Sequence, residues 1–99
     1  MGYIQVTARE LRSGAQEIQN LNSQFKAKAS ELTEKETALC SMWEGSARDA
    51  FHQAFTKDQG QLESFEKLIA EYVRVLLEIA TRYEQAEARN QEIASARSY

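Results

Sequence analysis

The sequence contains no proline and only four glycines among its 99 residues. Because proline interrupts helices and glycine weakens them, long stretches of this chain can form uninterrupted helix. Cysteine occurs once, as Cys40, so an internal disulfide is excluded and stability must come from packing or from a partner. A chain of this length forms one domain at most. Composition therefore predicts a single all-α domain.

The sequence also lacks long runs of basic residues and long runs of apolar residues. The net charge is −3, and acidic and basic residues are mixed along the chain without a basic block, which makes nucleic acid a poor candidate partner. The most apolar stretch, residues 72–80, is interrupted by Arg74 and Glu78, so no membrane span is predicted. The first residues lack the basic and apolar regions of a cleavable signal peptide. This pattern indicates a cytoplasmic protein, or one exported by a route that does not require such a peptide.

Residues that carry chemistry are few. His52 is the only histidine and is expected at a solvated or edge position, while Cys40 is expected as a half-buried packing residue. Together they lack the number and spacing of zinc ligands, and neither a catalytic triad nor a phosphate-binding loop is present. We therefore predict no enzyme, no metal or cofactor, and no small-molecule substrate. The charged residues between 31 and 36 are expected on a solvated helix face: Glu31, Glu34, Lys35 and Glu36.

The first helix has a recognisable beginning. Thr7-Ala8-Arg9-Glu10 fits a capping box, in which the threonine hydroxyl accepts a hydrogen bond from the Glu10 amide. We predict helix over residues 7–40. Apolar residues then recur every seven positions, which predicts that one stripe packs lengthwise along another helix. These residues are Ile4, Leu11, Ile18, Phe25, Leu32 and Leu39.

A turn is predicted over residues 41–46, where Gly45 separates two periodic segments and Ser46 is expected to cap the next helix. Apolar residues after the turn alternate in steps of three and four, which predicts a second helix over residues 46–94. The two helices form an antiparallel hairpin. Because the second helix is longer, a C-terminal arm should project from about residue 80.

Two helices form a layer without an enclosed core, so large apolar residues need further cover. Two hairpins meeting face to face would bury them in an elongated four-helix bundle. The simplest partner is a second copy on a two-fold axis, although a similar hairpin in a heterodimer satisfies the physics equally. The residues predicted for this dimer and core seam are Leu11, Ile18, Phe25, Leu32, Phe55, Phe65, Tyr72 and Leu76.

Trp43-Glu44-Gly45 is followed by Ala47 and Phe51, which gives the pattern W-x-G-x-A-x-x-x-F at mid-chain. This pattern resembles the signature of the WXG family, small helical-hairpin proteins secreted by type VII secretion systems. The resemblance covers the whole chain. It implies that Tyr83 and Glu87, which match the C-terminal pattern Y-x-x-x-[DE], form an export signal. The resemblance also implies that a membrane-bound FtsK/SpoIIIE-type ATPase reads this signal, together with Trp43 of the partner subunit.

The function implied by the resemblance is that of a secreted effector or virulence-type protein of a Gram-positive or actinobacterial organism. It would be exported as a folded dimer and act through protein binding. The alternative is an intracellular helical adaptor, or chaperone-like partner of a larger protein, in which the Trp motif arose by chance. Membrane disruption by the amphipathic helices is a weaker hypothesis, because the polar face and negative charge disfavour anionic lipids. Trp43 and Tyr83 also have purely structural interpretations, as a plug at the turn and as a packing residue.

Overall fold

The computed structural model describes the backbone of residues 6–96 and the side chains of residues 6–90. Helix α1 spans Ala8–Ser41 and helix α2 spans Ser46–Ala96, and residues 6–96 contain no strand. The helices lie antiparallel in a rod of 84 × 23 × 22 Å. The predicted all-α hairpin is confirmed. Ile4, the first residue of the predicted seven-residue repeat, lies outside the described residues.

Helix α1 begins with the hydrogen bond that the capping box predicts. Thr7 has extended backbone angles, and its hydroxyl accepts from the Glu10 amide at 3.0 Å. This bond satisfies one of the amides that have no partner within the first turn of a helix. At the other end, the amides of Met42 and Trp43 donate to the carbonyls of Leu39 and Cys40.

The turn depends on Gly45, whose φ of +118° is a backbone angle that residues with a Cβ rarely adopt. The Gly45 carbonyl accepts from the Asp49 amide at 3.2 Å, so Gly45 occupies the cap position of α2. The prediction of Ser46 as the cap was wrong, because Ser46 is already the first residue of the helix. Asp49 lies in the first turn of α2, where the helix dipole favours a negative charge.

Small residues form the line of contact between the two helices. Ala15 is 1% exposed and Ala80 is fully buried. Among residues 6–90 the other buried apolar residues are Ala8, Cys40 and Val73. On α1 the inward row recurs every seven positions: Ala8, Ala15, Asn22, Ala29 and Glu36. The apolar row that the sequence singled out runs beside this one. Small side chains along the contact line allow the helices to pack closely, and the large residues lie on its flank.

Polar side chains also cross the contact line. The Asn22 amide donates to the Glu66 carbonyl at 3.2 Å, and the Gln59 amide donates to the Thr33 hydroxyl at 3.1 Å. These partly buried pairs are hydrogen-bonded in one alignment of the helices only, so they favour that register. They reinforce a register that the small apolar residues specify only weakly.

The open end of the hairpin is held by Arg12. Its guanidinium donates to the Thr81 hydroxyl and to both carboxylate oxygens of Glu84. Helix α1 therefore contacts α2 as far as Glu84, one turn beyond the position of about 80 predicted for the start of the arm. From Glu84 to Ala96, α2 continues for about 18 Å at 1.5 Å per residue. Neither described helix has an apolar segment long enough to cross a membrane.

Candidate functional site

The residues of the turn motif lie together at the closed end of the hairpin. The Trp43 ring packs on the Phe51 ring with centroids 5.9 Å apart, and Phe51 packs on Phe55 at 6.4 Å. Ala47 is an exposed residue one helical turn before Phe51. Gly45 supplies the backbone angle that lets the chain reverse between Trp43 and α2. Trp43 is half-buried and Phe51 remains 41% exposed, so the motif combines a structural contact with an accessible aromatic surface.

The predicted export residues lie at the opposite end, on α2. Tyr83 is 44% exposed, and Glu87 is exposed four residues later on the same side of the helix. Between them, Glu84 forms a bidentate ion pair with Arg12, and the hydrogen bond from Arg12 lowers the pKa of the Glu84 carboxyl. This ion pair fixes the helix at the base of the arm. Within one chain Tyr83 and Trp43 are separated by about the length of α1, roughly 50 Å.

One side of the hairpin is apolar and uncovered. The Phe25 and Phe65 rings meet across the two helices with centroids 5.5 Å apart, beside a groove lined also by Ile18, Leu21 and Ile69. These contacts show that the stripes of α1 and α2 face the same side. We call this side the apolar face. It comprises Leu11, Ile18, Leu21, Phe25, Leu32 and Leu39 of α1 and Phe65 and Tyr72 of α2.

The residues predicted for the dimer and core seam are not buried within the single chain. Leu32 and Phe65 are each 50% exposed and Tyr72 is 54% exposed. The others are half-buried: Leu11, Ile18, Phe25, Phe55 and Leu76. The contact between α1 and α2 thus leaves about half of this apolar set accessible.

The opposite side of the hairpin is polar. A shallow groove there is lined by residues that include Lys26, Ser30, Glu34 and Glu63. Lys26 lies 3.4 Å from the Glu66 carboxylate across the two helices. Mixed charges of this kind are typical of a solvated surface. The hairpin consequently has two unlike sides.

A polar cluster near the turn was missed by the sequence analysis. Glu36 is 6% exposed, so its predicted place on a solvated face was wrong. One Glu36 carboxylate oxygen lies 2.7 Å from His52 Nδ1 and accepts from the Cys40 thiol at 3.1 Å. The hydrogen bonds to His52 and Cys40 lower the pKa of Glu36, while the bond to Glu36 and burial raise the pKa of Cys40. The sequence signal that Glu36 points inward is its position in the seven-residue repeat of the inward row, which contains Ala8, Ala15, Asn22 and Ala29.

Hairpin, glycine turn and half-exposed aromatic motif together define a small WXG-type helical-hairpin protein. Residues 3–88 match the family model for proteins of 100 residues with a WXG motif, and the chain belongs to this WXG100 family. It is 30% identical to an ESAT-6-like protein of Streptococcus agalactiae serotype V over 88 residues, which are 89% of this chain and 92% of that protein.

The fold is also found in a solved structure, the secreted protein ESXB of Bacillus anthracis strain Sterne. The TM-score is 0.77, and the match covers 88% of this chain and 99% of that one, at 18% sequence identity. At this identity the likeness concerns the fold alone. The resemblance inferred from Trp43, Gly45, Ala47 and Phe51 is confirmed by the family match.

Proposed function

We propose that this protein is a substrate of a type VII secretion system, exported as a folded dimer and acting through protein binding as an effector or virulence-type factor. The observation that carries the proposal is the position of Tyr83 and Glu87. Both are exposed, on a helix that extends past the end of α1. Tyr83 lies at the base of the arm and Glu87 on the arm, so one rigid helix presents an aromatic ring and a carboxylate to a receptor with little loss of conformational freedom. Membership of the WXG100 family supports the same conclusion.

The apolar face supports the dimer. Half-burying a large apolar side chain contributes roughly 1 kcal/mol, half of the value for full burial. A two-fold axis covers each residue of the face twice, so its eight residues would contribute roughly 16 kcal/mol, against a cost of association of about 4–15 kcal/mol. The polar opposite side, with its cross-helix pair of Lys26 and Glu66, offers no comparable gain. The partner is therefore a second copy of this chain, or a similar hairpin with a matching face.

An antiparallel dimer would also complete the recognition surface. Trp43 lies at one end of the hairpin and Tyr83 lies about one α1 length away. With two chains antiparallel and in register, the arm of one protomer lies beside the turn of its partner. The export signal would then consist of Tyr83 and Glu87 from one chain and Trp43 from the other. We propose that a membrane-bound FtsK/SpoIIIE-type ATPase reads this composite surface.

Export from the native host tests the proposal. Wild type, Tyr83→Ala, Glu87→Gln and Trp43→Ala would be compared in cell and medium fractions, with and without the secretion ATPase. Gln85→Ala is the matched control, because Gln85 is exposed on the same arm between the two signal residues. We expect ATPase-dependent export of wild type and of the control, and loss of export for folded Tyr83→Ala.

The intracellular adaptor predicts a different result. Wild type would stay in the cell whether or not the ATPase is present, and Tyr83→Ala would behave as wild type does. Circular dichroism of each variant separates loss of export from loss of folding. Retention of wild type under all conditions would reject the secreted-substrate proposal.

A further inference from the structure

Glu36, Cys40 and His52 bring three different kinds of ligand atom together next to the turn. A carboxylate oxygen, a thiol sulfur and an imidazole nitrogen all lie within 4.8 Å of one another. Glu36 and Cys40 are one turn apart on α1, and His52 reaches them from the second turn of α2. The cluster therefore spans the two helices at the point where the hairpin closes.

We propose that these three side chains bind a divalent transition-metal ion of the Zn²⁺ class, which joins α1 to α2. The donor set argues for this class of metal. Thiolate and imidazole are ligands for Zn²⁺ and Co²⁺, whereas Mg²⁺ and Ca²⁺ take oxygen ligands. Three protein ligands leave a fourth position of the tetrahedron for water.

Charge balance favours a dication here. Glu36 is a carboxylate buried between two helices, and the Cys40 thiol loses its proton to solvent when sulfur binds the metal. The carboxylate and the thiolate together carry two negative charges, which a dication neutralises. The Glu36 carboxylate is already hydrogen-bonded to His52 and Cys40, and a dication that replaces the thiol proton would leave no net charge at this buried position. The nearby Arg48 cation opposes metal binding, but its guanidinium is paired with Asp49 at 3.3 Å.

The geometry requires side-chain shifts on the order of 1 Å. Two of the present separations, 2.7 Å and 3.1 Å, are those of hydrogen bonds, and all three ligand atoms lie within 4.8 Å of one another, whereas zinc–ligand bonds of about 2.0–2.3 Å set tetrahedral ligands about 3.5 Å apart. The His52 side chain is 48% exposed, so it has room to move. Its Nδ1, which faces Glu36, would bind the metal as the tautomer that carries its proton on Nε2.

Cobalt titration of the full chain tests the site. Since Cys40 is the only cysteine, a thiolate-to-cobalt charge-transfer band in the near ultraviolet reports this site alone. We expect a band that saturates at one Co²⁺ per chain and disappears when Zn²⁺ displaces the cobalt. Zn²⁺ should also raise the melting temperature, because an ion that binds the folded state preferentially stabilises it. Chelation should reverse this rise.

Variants separate a three-ligand site from a lone thiol. Loss of a group that merely orients a ligand costs about 10–100-fold in metal affinity, so His52→Gln and Glu36→Gln should each cost about 100-fold or more. Glu34→Gln, an exposed change on the same helix, is the control and should leave affinity unchanged. Absence of the band in wild type would overturn the proposal, as would a folded His52→Gln that binds cobalt with wild-type affinity. Should Glu36→Gln fail to fold, the half-exposed His52 still provides the decisive variant.

Discussion

The contact between the two helices and the apolar face beside it differ in the size of their side chains. The contact is built on Ala15 and Ala80, which are 1% and 0% exposed, whereas Phe65 and Tyr72 on the face are 50% and 54% exposed. A hairpin that folded as an independent unit would place its largest apolar residues where they are best covered. The reverse arrangement is what the proposed dimer, with a second hairpin on the apolar face, would require.

The geometry of two helices explains the difference. They touch along one line, where small residues and a few polar pairs, such as Gln59 with Thr33, fix the distance and the register. Side chains on the flank of that line contact both helices but stay open on one side, as Phe25 and Phe65 do. Large residues placed there cannot be fully covered by the chain itself and become covered only by a partner.

Phe65→Glu should break this arrangement most severely. The change places a carboxylate in the middle of the apolar face, and the two-fold axis of the proposed dimer would repeat it on the partner. An uncompensated charge in a buried environment costs about 3–5 kcal/mol, so the dimer dissociation constant should rise by more than about 100-fold. Sedimentation equilibrium should give a mass near twice 11.3 kDa for wild type and near 11.3 kDa for the variant.

Ser64→Glu is the matched control for this prediction, since it adds the same charge one residue away at an exposed position. It should remain dimeric. A dimeric Phe65→Glu protein would show that the partner covers some other surface.

Ala15→Leu tests the line of contact itself. Ala15 is almost completely buried between the helices, so a larger side chain must push them apart. Overpacking of this kind costs about 1–3 kcal/mol of unfolding free energy, measurable by urea denaturation. Ala27→Leu makes the same change at an exposed position of α1 and should have little effect. Equal effects at the two positions would mean that close approach of the helices is not required.

Gly45→Val tests whether the turn between α1 and α2 requires the positive φ angle of glycine. A β-branched residue at φ +118° is strained even where space is available, at a cost of about 1–3 kcal/mol. Gly60→Ala provides a contrast, because Gly60 lies within α2 with open space around it and alanine should stabilise the helix by about 0.5–1 kcal/mol. Thermal melting should therefore show a lower melting temperature for Gly45→Val and a higher one for Gly60→Ala. A Gly45→Val protein as stable as wild type would show that the turn does not need this angle.

The sequence predicted the hairpin but not which row of α1 touches α2. Seven-residue periodicity is a property of the whole helix, so it occurs in the row of Leu11, Ile18 and Phe25 and equally in the row of Ala15 and Asn22. Hydrophobicity draws attention to the first row because its members are large. The second row makes the contact because its members are small.

The inward row also explains why the sequence analysis missed the polar cluster of Glu36, Cys40 and His52. Glu36 lies in the inward row, yet charge alone suggested that it was solvated. Its partners Cys40 and His52 do not have the sequence spacing of a known metal motif. They come together only when the turn folds α2 back on α1. The roles of Tyr83 and Glu87 in export stay predictions, since they depend on a receptor.

The smallest expected effect concerns Glu36 and pH. The hydrogen bonds to His52 and Cys40 lower the pKa of this carboxyl in the folded state from its ordinary 4.5. A group with a lowered folded pKa contributes stability above its unfolded pKa and loses it as the pH falls through the folded value. Wild type should thus exceed Glu36→Gln in unfolding free energy at pH 7, and the difference should shrink as the pH falls below about 4.5.

Measured under chelation, this difference isolates Glu36 from the other acid-sensitive ion pairs. Glu84 with Arg12 and Glu71 with Arg74 contribute equally to both proteins and cancel in the subtraction. Glu34→Gln, made in parallel, should show no such convergence. A difference between wild type and Glu36→Gln that stayed constant through pH 3 would mean that size and shape, not charge, place Glu36 in the contact line. The polar pairs there would then act as spacers between the helices, and the contrast with the apolar face would be one of volume alone.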